Sequence, residues 1–166
     1  MEPAQPTRAK SAPRCIAVVV RGSLYGVRVE EVQEVIGLRP LTRVFHAPDE
    51  LAGVISLRGE VLPVLDVGAL LAGPAQASSP SPDARIVVVR ESRAPRRRAG
   101  LLVDELGGLR DVPDAGLEPL PSTASEAVRQ LVVGVIATAP PCGVLDVSAL
   151  FDSEPIARLS GGEAET

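Results

Sequence analysis

The chain has 166 residues, enough for one ordinary domain or for two small lobes sharing a core. Hydrophobic residues make up 45% and aromatic ones only 2%, so Val, Leu, Ile and Ala must fill the interior, and the β-branched members of that set favour strands. A net charge of −4 argues against the concentrated basic face of a nucleic-acid binder, and the longest apolar runs are too short to cross a bilayer as a helix.

Residues 1–13 are polar and proline-bearing, without the apolar stretch of a secretory signal, and read as a disordered tail. Residues 15–21 and 24–29 read as a hairpin turning at Arg21-Gly22-Ser23. Val32, Val35 and Ile36 follow at i, i+3 and i+4, which predicts a short helical turn. Residues 53–58 and 60–65 form a second hairpin about Arg58-Gly59-Glu60. Pro63 lacks a backbone N–H and belongs at a strand edge or bulge. Asp66 is placed to cap a short helix whose Val67, Leu70 and Leu71 share a face. The Ala-, Ser-, Pro- and Gly-rich segment 72–83 reads as a flexible connection. Residues 85–91 and 99–106 then pair around a basic tip, Ser92 to Arg98, expected to be a solvated loop. Gly107-Gly108 marks a turn or bulge. Residues 131–138 and 142–146 pair around Ala139-Pro140-Pro141, and Asp146 caps a helix carrying Val147, Leu150 and Phe151. The folded domain spans 14–152, and 153–166 reads as a disordered acidic tail.

The order of landmarks is written twice. Ala17-Val18-Val19-Val20 corresponds to Ile86-Val87-Val88-Val89, and the run from Gly26 to Val32 corresponds to Gly100 to Leu106. Gly53-Val54-Ile55 returns as Gly134-Val135-Ile136, and Val64-Leu65-Asp66-Val67 returns as Val144-Leu145-Asp146-Val147. Each half reads as a small β unit too small to be robust alone. The expectation is a mainly all-β molecule of two barrel-like units side by side, with a groove between them.

The chemistry inventory points away from an enzyme. His46 is the only histidine and reads as a loop residue, so the usual zinc sets have no second imidazole. No phosphate-binding loop and no nucleophile elbow is present. Glu30-Glu31, Asp49-Glu50 and Asp104-Glu105 adjoin apolar runs and read as solvated lobe ends. Cys15 and Cys142 lie beside apolar runs and read as buried, reduced thiols of a cytoplasmic protein. No catalytic residue, cofactor site or metal site is expected.

The segment Gly53-Val54-Ile55-Ser56-Leu57-Arg58-Gly59-Glu60-Val61-Leu62-Pro63-Val64-Leu65-Asp66 resembles the signature of the CheW-like domain family. Tyr25-Gly26-Val27, Val32-Gln33-Glu34-Val35, Ala47-Pro48 and Leu102-Val103-Asp104-Glu105-Leu106 support the likeness in the expected order. The resemblance implies two SH3-like five-stranded β-barrel subdomains with short helices. It also implies a chemosensory signal-transduction scaffold without catalytic activity. Its partners would be the cytoplasmic tip of a methyl-accepting chemoreceptor and the regulatory domain of a CheA-type histidine kinase, with no nucleic acid and no direct membrane insertion. Within the signature the likeness singles out Arg58, associated in that family with the residue matching Glu34; two readings of the pair stay open, an ion pair near a receptor-facing groove and a purely structural strand-to-turn bridge. Val35, Val54 and Leu57 are the apolar candidates for partner contact, with core packing as the other and more common role of such residues. Two other readings stay open: a diverged modulator of a motility-type chemosensory system that no longer binds receptor, and a small-ligand-binding β protein or hydrolase.

Overall fold

The computed structural model describes residues 13–73, 80–94 and 97–153. The expected tails lie outside that set apart from Pro13 and Ser153. Residues 74–79 of the expected connection and 95–96 of the basic tip also lie outside it. Ten strands dominate: β1 (Arg14–Val20), β2 (Ser23–Arg28), β3 (Val32–Gly37), β4 (Leu51–Leu57), β5 (Glu60–Asp66), β6 (Arg85–Arg90), β7 (Arg98–Val103), β8 (Glu105–Asp111), β9 (Val132–Ile136) and β10 (Cys142–Leu145). Among the described residues three short α-helices accompany them, α1 (Val67–Ala72), α2 (Glu126–Leu131) and α3 (Val147–Asp152), with one 3-10 turn at Val29–Glu31.

Two five-stranded sheets form, in the orders β8-β1-β2-β10-β9 and β3-β6-β7-β5-β4. Both are mixtures of the two halves, which corrects the expectation that each half folds on itself. The first hairpin of each repeat leaves its own half and pairs in parallel with the last hairpin of the other, β2 with β10 and β7 with β5. Repeats with the same apolar pattern offer interchangeable partners, and the exchange builds a core that neither half commands alone. Val18, Val20 and Val27 of one sheet meet Val87, Leu101 and Leu65 of the other in one large cluster, with α1 and α3 packed into it. Each sheet keeps a smaller private cluster, Ile55, Leu62 and Ile86 in one and Ile136 and Val144 in the other. The seam is therefore filled. What remains of the expected groove is a cleft of about 260 Å³ lined by Val20, Arg21, Asp66, Gly68, Leu102 and Asp104 among others.

Neither sheet closes through a continuous ladder. In each, the chain leaving one edge strand crosses to the opposite edge and makes a single bridge, Thr42 to Val54 and Glu118 to Val135. Both bridges sit beside the repeated glycines, and this explains the repetition. A Cβ on Gly53 would lie 2.8 Å from the Thr42 carbonyl oxygen, and one on Gly134 would lie 3.0 Å from that of Glu118. Only a residue without a side chain lets the closing segment approach so near.

The exchanged hairpins are also latched. Arg21, at the β1–β2 turn, donates from Nη1 to the Gly73 carbonyl at the end of α1, at 2.7 Å. Arg97, before β7, donates from Nη2 to the Phe151 carbonyl near the end of α3, at 2.8 Å. Each guanidinium thus satisfies a helix C-terminal carbonyl belonging to the other sheet's last hairpin, where a cation is favoured. Arg97 also donates to the buried Glu91 at 3.0 Å and stacks over the Phe151 ring. It is a structural clasp, not the solvated residue expected of the basic tip.

Local expectations fare unevenly. Asp66 and Asp146 cap their helices, each accepting from the backbone three residues on at 3.1 Å. The turns Arg21-Gly22 and Arg58-Gly59 have both residues at positive φ, the twist that suits a two-residue hairpin. The helical turn expected over Val32–Ile36 is instead β3. A register shift between Val32 and Glu34 inserts Gln33 as an extra residue against β6. That bulge puts Val32 and Val35 on the shared core three residues apart, a spacing that mimics a helix. The run 99–106 breaks at Asp104, whose carboxylate accepts the Arg21 N–H at 2.7 Å, so β7 and β8 join different sheets. Pro63 lies within β5, which is not an edge; the ladder to β7 starts at the next residue, Val64. Gly107-Gly108 coincides with the shift in the β1–β8 register. Glu31 is buried and not a solvated lobe end.

Candidate docking site at the Glu34–Arg58 pair

Glu34 stands on β3 and Arg58 on the β4–β5 turn, so they come from opposite edges of one sheet. The guanidinium donates from Nη1 to Glu34 Oε1 at 2.8 Å and from Nη2 to Oε2 at 3.1 Å, a two-pronged contact across the closing seam of the barrel. Arg58 is 70% exposed in its side chain and Glu34 23%. The pair is a surface feature with one foot anchored. A second polar bridge runs alongside: Arg98 pairs with Glu60 and reaches Gln33 Oε1 at 3.4 Å. The bulge at Gln33 lets consecutive residues of β3 serve both bridges.

The apolar candidates separate. On β4 and β5 the cross-strand pairs Val54–Pro63 and Ser56–Val61 face outward together. Val54 is half-buried there, and Val61 is 74% exposed. Leu57 turns the other way and is only 6% exposed, in the private core of its sheet. Val35 is half-buried against the shared core. The structure thus brings Glu34 and Arg58 into contact and places Val54 on the outer face beside the hairpin tip. Leu57 and Val35 serve as packing behind them. Val61 was not singled out from the sequence. Its position in a run of apolar residues hides that its paired neighbours on that face are Ser56, Val54 and Pro63.

Other expected features take simpler places. His46 is an exposed loop residue with its ring edge-on to Phe45, centroids 4.3 Å apart. Burial raises the Glu31 carboxyl above its ordinary 4.5, with Arg28 pulling against the shift. Among the described residues there is no group of three or more His, Cys, Asp or Glu side chains arranged to hold a metal ion. No helix among them is long and apolar enough to cross a membrane.

Comparison with known proteins bears on the family and the fold. The model of the CheW-like domain matches residues 14–155. A probable chemotaxis protein CheW from Rhizobium etli is 34% identical over 123 residues, covering 74% of this chain and 76% of that protein. Chemotaxis protein CheW from Rhizobium meliloti is 36% identical over 122 residues, covering 74% and 76%. Among solved structures, the scaffolding protein TtCheW from Thermoanaerobacter tengcongensis superposes with a TM-score of 0.73 at 24% identity, over 87% of this chain and 90% of that one. That likeness carries the fold: two SH3-like subdomains with few, short helices. On the extent of the domain match and the level of identity to its relatives, this chain belongs to the CheW-like domain family.

Proposed function

We propose that this chain is a non-catalytic chemosensory adaptor that couples a methyl-accepting chemoreceptor tip to the regulatory domain of a CheA-type histidine kinase. The observation that carries the reading is the exposed Arg58 guanidinium, held in a fixed orientation by Glu34 beside the outward Val54, Val61 and Pro63. An oriented arginine next to an apolar patch is the kind of anchor around which docking energy concentrates. Membership of the CheW-like domain family supports this choice of partner class. An adaptor of this kind works by binding free energy and transmits a signal only if it contacts the kinase's two activity states differently.

The test is a titration of the chain into purified kinase and receptor membranes, following kinase autophosphorylation. A saturable change in rate that requires both receptor and chain is expected. Kinase activity indifferent to the chain at every receptor concentration sinks the proposal.

A further inference from the structure

The only two cysteines enter from strands far apart in sequence, and both strands flank β2. They converge over Gly26. A Cβ at that glycine would lie 3.0 Å from Cys15 Cβ, 3.4 Å from Cys15 Sγ and 3.2 Å from Cys142 Sγ. Two sulfurs that close to one point are themselves less than about 7 Å apart. Both thiols are unpaired and fully buried. Beside them lies a donor without an acceptor. Arg110, the register partner of Cys15 on β8, holds its Nε in the interior with no hydrogen-bond partner among the described residues.

We propose that Cys15 and Cys142 form a two-thiolate site for the soft cation Cu(I), seated over Gly26 with Arg110 as its counter-charge. Thiolates select soft cations such as Cu(I). The four-ligand demand of structural zinc is not met here. Metal–thiolate bonds of about 2.3 Å span ~4.6 Å between two sulfurs in line, within the separation Gly26 allows. A direct disulfide is the poorer fit. Strands on either side of a third stand about 10 Å apart, whereas a disulfide needs Cα atoms within about 7 Å. In the binding step two thiols release two protons and take up one Cu(I), leaving a complex of charge −1. That anion requires a counter-charge in a dry interior, and the Arg110 guanidinium, which acts electrostatically on Cys142 and whose buried Nε–H has no other partner among the described residues, is the one assigned to it. The same surroundings set the resting state. Burial pushes the Cys15 thiol up to about 11 and raises Cys142 as well, with Arg28 opposing the first shift and Arg110 the second.

The test is an anaerobic titration of the reduced full chain with Cu(I) against a coloured Cu(I) chelator. One Cu(I) per chain is expected, with release of two protons and a higher melting temperature for the loaded protein. Cys15→Ala and Cys142→Ala should each abolish uptake, and Arg110→Met should weaken it about tenfold, as loss of an outer-shell partner does. Equal uptake by the double alanine variant, or a wild-type chain that leaves all Cu(I) with the chelator, overturns the site. Native mass spectrometry of the unaltered chain decides the matter without any variant. One bound copper per chain is expected, a gain of one copper for one proton at each charge state; a mass unshifted by Cu(I), or loss of two hydrogens to a disulfide, contradicts the assignment.

Discussion

Replacing Arg58 with alanine separates a docking role from a structural one. The pair has good geometry, at 2.8 and 3.1 Å, but the arginine is mostly in solvent, and exposed pairs contribute about 0.2–1 kcal/mol. The barrel seam does not depend on it. Thr42 and Val54 exchange two backbone hydrogen bonds across the same closure, at 3.0 and 2.8 Å. The positive φ at Arg58 brings no relief, because alanine carries the same Cβ. Arg58→Ala should therefore lower stability by about 1 kcal/mol or less, a fall in melting temperature of roughly 2–4 °C for a chain of this size. Loss of a docking anchor is larger, about 2 kcal/mol or more, or roughly thirtyfold in Kd. Thermal melts by circular dichroism and calorimetric titration with receptor and kinase fragments measure the two effects on the same samples. A melting temperature lower by more than about 10 °C with unchanged affinity for both partners would refute this reasoning and make the pair a structural strut.

Three further outcomes follow from the fold. Gly53→Ala and Gly134→Ala push a Cβ onto the closing backbone of their respective sheets, so each should destabilise by ~1–3 kcal/mol in urea unfolding, while Gly37→Ala, at a site with open space around it and no positive φ, meets no such contact. Arg97→Ala strips the buried Glu91 of its cation and should cost about 1–3 kcal/mol, with Arg97→Lys recovering only part because one ammonium cannot reach Glu91, Asp152 and the Phe151 carbonyl together; chemical denaturation of the three proteins ranks them. Glu31 is harder to ionise in the folded chain than in the unfolded one, so the folded state binds the extra proton and loses stability as pH rises above the ordinary 4.5; Glu31→Gln should raise the melting temperature at neutral pH and change it little near pH 4.

Much of this architecture can be read from residue patterns alone. Alternating apolar strands, Arg-Gly turns and the aspartate caps are local signals, and their duplication announces a pseudo-twofold molecule. The exchange of hairpins is not local. β1–β2 and β6–β7 carry equivalent apolar faces, and nothing within a strand says which repeat it must join. Bulges defeat periodicity in the same way: one extra residue at Gln33 turns a strand's alternation into an apparent helical spacing. The helix α2 escapes because its Val128 and Leu131 are too few to make a stripe, although Ser125 caps it through Val128 N–H at 3.2 Å. At the site, Glu34 and Arg58 are visible only through the family signature. Charge and spacing alone do not reveal that two sheet edges 24 residues apart in sequence meet there. Leu57 looks like a surface candidate until the pleat is known, and Val61 looks like core for the same reason.

The decisive measurement is co-sedimentation of the kinase with receptor-bearing membranes, with and without this chain. Kinase should move to the pellet together with the chain, and stay in the supernatant when the chain is omitted or carries Arg58→Ala. A chain that remains in the supernatant while kinase sediments equally well without it would contradict the adaptor role.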